Sequence, residues 1–134
     1  MKHILVGFDG SANAQRALEE AVDVAKADTR ITVVAAAQEP PPPGLALPEG
    51  AEGLEERRRE LEEARRWLAE LGWEAEVVAV SGAPADVLVE EAEARGADLI
   101  VVGRRGSSGA ERLVMGSVGA KVARTARCSV LIAR

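Results

Sequence analysis

Short apolar runs alternate with helical patterns along the whole chain, and this alternation constrains the fold more than any other feature. Residues 3–8 (HILVGF), 31–37 (ITVVAAA), 74–80 (EAEVVAV), 98–102 (DLIVV) and 129–133 (SVLIA) read as strands. They are apolar without a regular in-and-out alternation, as expected of strands covered on both faces. Between the first two, Ala14, Ala17, Leu18, Ala21, Val22 and Ala25 recur three and four apart, with Ser11 as the natural N-cap. Leu54, Leu61, Ala64, Leu68 and Leu71 share one face of a helix over 54–71, which Gly72 ends. A third helix runs from Ala83 to Ala94 with Pro84 in its first turn, and a fourth covers 117–126. Strands alternating with helices imply right-handed crossovers and a parallel sheet. The predicted fold is α/β: a single domain over 1–134, a doubly wound five-stranded parallel sheet with helices on both faces.

Composition narrows the function. The 134 residues carry 47% hydrophobic but only 2% aromatic residues, so the core must be built from Val, Leu, Ile and Ala. A net charge of −5 argues against nucleic acid and against an anionic membrane surface as partners. The single cysteine, Cys128, excludes an internal disulfide, and the single histidine, His3, excludes His-His zinc motifs. No apolar run has the length of a membrane span and the first residues do not form a signal peptide, so a cytoplasmic location is expected.

Residues 38–53 (QEPPPPGLALPEGAEG) break the regularity with five of the six prolines. Consecutive prolines favour extended backbone. The segment is long for a connection in a compact α/β domain, so two readings stand: a flexible excursion, or a flap over a bound ligand.

Ligands of open parallel sheets bind at the carboxyl ends of the strands, near the point where strand order reverses. The first strand ends in Gly7-Phe8-Asp9-Gly10-Ser11, which is neither G-x-G-x-x-G nor a Walker sequence. Asp9 stands where a carboxylate could meet a ribose hydroxyl or a metal; alternatively it is a turn residue before the first helix. The fourth strand ends in Gly103-Arg104-Arg105-Gly106, and Gly116-Ser117-Val118 then opens the last helix. Glycines there let the backbone approach a phosphate, and a helix start offers unpaired N–H groups and the positive end of the dipole. The pair makes a phosphate cradle without a Walker lysine, to which Arg104 and Arg105 add positive charge or are merely solvated.

The spacing G-x2-G-x9-G-S at Gly103, Gly106, Gly116 and Ser117 resembles the ATP-binding motif of the universal stress protein family. ILVGFDGSANAQRALEEA, DLIVVGRRGSSG and GSVGAKVARTARCSVLIAR resemble that family's first strand and helix, fourth strand and loop, and last helix and strand. The likeness covers everything except the proline-rich insert. It implies a Rossmann-like, adenine-nucleotide α-hydrolase-like fold and membership of the branch that binds ATP. By position, Asp9 would contact the ribose, Gly7 and Phe8 would line the adenine side, and the Ala36 backbone would face adenine. Val102 and Gly103 would flank ribose and phosphates. Gly106, Gly116, Ser117 and Val118 would hold the phosphates alongside Arg105, with the Ser117 hydroxyl on a terminal oxygen or on Mg2+. The resemblance further implies a homodimer through the last strand, Ser129 to Ala133, and a downstream protein partner that the sequence does not identify. The paired Arg104 and Arg105 are a strongly basic version of this loop, and Ser129 stands where the family often has proline.

Three functions remain in competition. The first is an ATP-binding regulatory or stress-response protein. The second is a slow ATP hydrolase, for which a general base is hard to find: beyond Asp9 and Glu111 no second carboxylate presents itself, and no histidine lies near the cradle. The third is a dimeric interaction module whose glycines only make turns. Elsewhere, His3 reads as structural or exposed, Cys128 as a small buried residue, Trp67 and Trp73 as packing residues, and 55–59 (EERRR) as a solvated helix face.

Overall fold

The computed structural model describes residues 2–37, 44, 53–104 and 117–134. In chain order they form β1 (His3–Gly7), α1 (Ala12–Val24), β2 (Arg30–Ala37), α2 (Leu54–Glu70), β3 (Glu76–Ser81), α3 (Pro84–Arg95), β4 (Leu99–Gly103), α4 (Ser117–Thr125) and β5 (Ser129–Ala133). The five strands are parallel in the order β3-β2-β1-β4-β5. The chain first builds outward from β1 through β2 to β3. It then crosses back to lay β4 on the other side of β1, with Ile4 opposite Leu99 and Val6 opposite Val101. The doubly wound sheet read from the sequence is therefore the one observed, and its strand order reverses between β1 and β4.

The absence of alternation in the strands has a simple cause. Ile4 and Val6 face one core with α1 and α2, while Leu5 between them faces a second core with α3 and α4. Strand side chains alternate between faces, and here both faces are dry: Ile4, Leu5 and Val6 are all fully buried. Leu61, Ala64 and Leu68 of α2 close the first core, and burying a leucine such as Leu68 contributes about 1.5–3 kcal/mol. Trp67 and Trp73 pack at the margin of that core.

Local signals set the helix ends. The Ser11 hydroxyl accepts the Ala14 N–H at 3.1 Å, and Pro84 occupies the first turn of α3. After α2, Gly72 turns left-handed (φ +93°), its N–H bonds the Ala69 carbonyl at 3.0 Å, and the Trp73 N–H bonds the Leu68 carbonyl at 2.9 Å. This double closure satisfies the last helical carbonyls. The expected start of the third strand is corrected: the ladder with β2 begins with Thr32 opposite Glu76, so β3 starts at Glu76 rather than 74 and runs on to Ser81.

Candidate functional site

The site grows from the carboxyl end of β1. Asp9 Oδ1 accepts the Ser11 N–H at 3.0 Å, Gly10 adopts φ +80°, and Ser11 then caps α1. The Asp9 carboxylate thus does hold a turn, as one of the two readings required. Its backbone is held as well. Arg57 of α2, only 5% exposed, donates from Nη1 to the Asp9 carbonyl at 3.0 Å. The same nitrogen lies 3.0 Å from Glu60 Oε1. That oxygen is buried and has no hydrogen-bond partner, so the contact with Arg57 is one of charge rather than an aligned hydrogen bond. Burial pushes the Glu60 carboxyl upward; Arg57 opposes the shift and Asp9 adds to it.

Arg57 corrects the reading of 55–59 as a solvated face. Arg58 and Arg59 do pair with Glu55 and Glu56 at the surface, three residues apart. Arg57, however, falls three residues after Leu54 and four before Leu61, on the apolar face of the helix. That register was the available signal for a buried charge.

At the carboxyl end of β4 the glycine is a matter of packing. A Cβ on Gly103 would lie 2.5 Å from the Asn13 carbonyl oxygen and 2.7 Å from its carbon, so β4 meets the first turn of α1 backbone to backbone. Gly7 is similar: a Cβ there would lie 2.8 Å from Leu88 Cδ1 and 3.2 Å from Val102 Cγ1. These two glycines let the ends of β1 and β4, α1 and α3 converge.

The fold brings Gly7, Phe8, Asp9, Ala36, Val102 and Gly103 to the carboxyl ends of three neighbouring strands, β2, β1 and β4. Ala36 is half-buried on the side of α3 and α4. The Phe8 ring is buried in the opposite core, so at the strand end Phe8 offers its backbone, whose N–H already bonds the Val34 carbonyl at 2.9 Å. Ser117 stands exposed as the first residue of α4, followed by half-buried Val118. Arg105, Gly106, Glu111 and Gly116 lie outside the described residues, as does all of 38–53 except Gly44 and Gly53.

His3 and Cys128 belong to the other end of the sheet. His3 is buried, with Nε2 2.8 Å from Thr32 Oγ1 and Nδ1 3.3 Å from the Arg95 carbonyl. Cys128 is half-buried beside the second core, and burial raises its thiol above the ordinary range, leaving it protonated. Among the described residues no three His, Cys, Asp or Glu side chains converge to hold a metal, and no helix is long and apolar enough to cross a membrane.

The model of the universal stress protein family matches residues 1–134. A universal stress protein of Thermus aquaticus is 36% identical over 135 residues, covering 99% of this chain and 98% of its own. The crystal structure of a universal stress protein in complex with cAMP superimposes with a TM-score of 0.73 at 32% identity, covering 99% of this chain and 96% of that one. The universal stress protein of Archaeoglobus fulgidus in complex with dAMP gives a TM-score of 0.76 at 25% identity, covering 100% and 98%. The chain belongs to the universal stress protein family.

Proposed function

We propose that the protein binds ATP in the crevice between β1 and β4 and acts as a nucleotide-dependent regulatory protein of the stress response rather than as a fast enzyme. The observation that carries this reading is the junction itself. The spacing G-x2-G-x9-G-S begins at the end of β4 and ends at the start of α4, next to the strand whose carboxyl end holds Asp9. The relatives solved with cAMP and dAMP support an adenine nucleotide as the ligand class.

In this reading Asp9 bonds the ribose, the backbones of Gly7, Phe8 and Ala36 border the adenine, and Val102 and Gly103 flank the sugar and phosphates. Arg105, Gly106, Gly116, Ser117 and Val118 hold the phosphates. The start of α4 suits phosphate, because its first N–H groups lack helical partners and lie at the positive end of the dipole. Magnesium would arrive with the phosphates and be met by the Ser117 hydroxyl. The chain's one histidine is buried at the amino end of β1, so it offers no general base here. The outer strand β5, exposed or half-buried over Ser129–Ile132, is the proposed dimer edge, since the outer side of an edge strand is a template for pairing. A cytoplasmic location and a downstream protein partner complete the proposal.

One observation favours the competing interaction-module reading: Gly7 and Gly103 both have packing reasons to be glycine. Calorimetric titration of nucleotide-stripped protein with ATP, AMP and GTP, with and without magnesium, separates the two. The expected result is ATP binding with GTP much weaker. Asp9→Ala should then weaken ATP by about 1–3 kcal/mol, the loss of a charged hydrogen bond. Absence of heat and of a thermal shift with every nucleotide would return the protein to the module reading.

A further inference from the structure

We propose that Arg57 is a positioning residue for the Asp9 turn, and that recognition of the nucleotide's ribose diol depends on it. The inference rests on the adenine-nucleotide reading and adds to it a residue outside the glycine motif.

Packing alone gives no reason for Arg57. It sits on the face of α2 that otherwise presents Leu54, Leu61, Ala64 and Leu68, and it is 5% exposed. Burying a guanidinium is costly, and an apolar residue of similar volume is often as stable or more so. What Arg57 does there is specific. Its Nη1 donates to the carbonyl of Asp9 at 3.0 Å, gripping the backbone of the residue whose carboxylate faces the ribose in this reading. Glu60 Oε1, 3.0 Å from the same nitrogen, keeps the guanidinium in place.

The turn is also pressed onto this pair. A Cβ on Gly10 would come within 2.3 Å of Glu60 Oε2, and the φ of +80° at Gly10 already favours glycine. From the other side the Ser11 N–H holds Asp9 Oδ1 at 3.0 Å. Backbone and carboxylate of Asp9 are therefore both fixed before a ligand arrives. Such preorganisation removes ordering cost from binding. Arg57 also offsets the repulsion between Glu60 and Asp9, two carboxylates brought to one place.

The test compares ATP with 2′,3′-dideoxy-ATP, which lacks the diol, by calorimetric titration of the full chain. Wild type should prefer ATP by about tenfold or more, the difference expected when a charged acceptor loses its partner. Arg57→Met should weaken ATP by about tenfold while leaving dideoxy-ATP within about twofold, so that the preference collapses; Arg57→Lys should restore part of it. A purely structural role would weaken both nucleotides alike, and that result overturns the proposal, as does a preference that Arg57→Met leaves intact. A wild type that binds both nucleotides equally also overturns it. A wild type that binds neither overturns the adenine-nucleotide reading, and this inference with it. Should Arg57→Met fail to fold, Glu60→Gln, at a side chain 22% exposed, carries the test. It should cut the preference by about threefold, and an unchanged preference would be decisive against the brace.

Discussion

The two ends of the sheet are built differently. At the amino ends of β1 and β4, polar groups are paired across the strands. Asp98 accepts the N–H groups of Lys2 and His3 at 2.9 Å each and returns its own N–H to the His3 carbonyl at 2.8 Å. His3 bridges Thr32 and Arg95, and Arg95 in turn binds Glu76 and Glu91. At the carboxyl ends the strands finish in glycine, backbones meet closely, and a buried arginine holds a turn. The first end ties neighbouring strands together. The second brings backbones close together and anchors the Asp9 turn. In the proposed reading the first end carries stability and the second ligand recognition, and variants at each end can break that division.

The largest effect should come from Gly103→Val. Its Cβ would lie 2.5 Å from the Asn13 carbonyl oxygen, and backbone cannot swing aside as a side chain can. Overpacking of this kind should lower stability by about 3 kcal/mol in urea denaturation. This prediction sharpens the comparison, because it makes one residue of the recognition end a packing residue too. A variant of full stability that has lost nucleotide binding would instead make Gly103 a phosphate contact only. Thr32→Val should have the next largest effect. The side chains of Thr32 and His3 are buried together, and valine would leave the imidazole nitrogen without its partner. A cost of about 2 kcal/mol is expected, with nucleotide affinity unchanged. Loss of affinity on this substitution would mean that the two ends are coupled.

What the sequence disclosed follows the same division between local and distant causes. Ser11, Gly72 and Pro84 act within one turn of where they stand, so their roles were legible from neighbours alone. The strand runs were legible because burial on both faces leaves few polar positions, as Ile4, Leu5 and Val6 illustrate. Arg57 departs from the expected solvated face because arginine in a charged helix is usually solvated, and its partner across the fold, the Asp9 carbonyl, is not visible in the sequence. For Gly103 the motif spacing suggests a place beside ribose and phosphates, while its packing against Asn13 is a distant contact that the sequence does not reveal. The start of β3 at Glu76 is set by where the ladder with β2 begins, opposite Thr32, a register that the apolar run alone does not give.

The smallest effect, and the most direct measure of the amino end, is the pH dependence carried by His3. A carbonyl can only accept, so Nδ1–H donates to Arg95; in the neutral ring Nε2 then accepts from the Thr32 hydroxyl. Burial first, and then the positive charge of Arg30, hold its pKa below the ordinary 6.5. Above pH 6.5 the ring is neutral whether folded or not, and its contribution is complete. As pH falls below 6.5 the unfolded chain takes up a proton that the native ring resists, so stability declines until the lower native pKa is passed. Glu60 acts with the opposite sign. Its raised pKa means stability present below its ordinary 4.5 and lost as pH rises through the native value. The His3 window lies below 6.5 and the Glu60 window above 4.5, so wild type alone would blur them. The difference in stability between wild type and His3→Gln, followed by urea denaturation from pH 8 to pH 5, cancels the Glu60 contribution. It should be constant above about pH 7 and shift in favour of His3→Gln as the pH falls below 6.5. A difference that stays flat across that range would mean the ring titrates in the native state as it does in the unfolded chain, and His3 would then not be held by burial and pairing at the amino end.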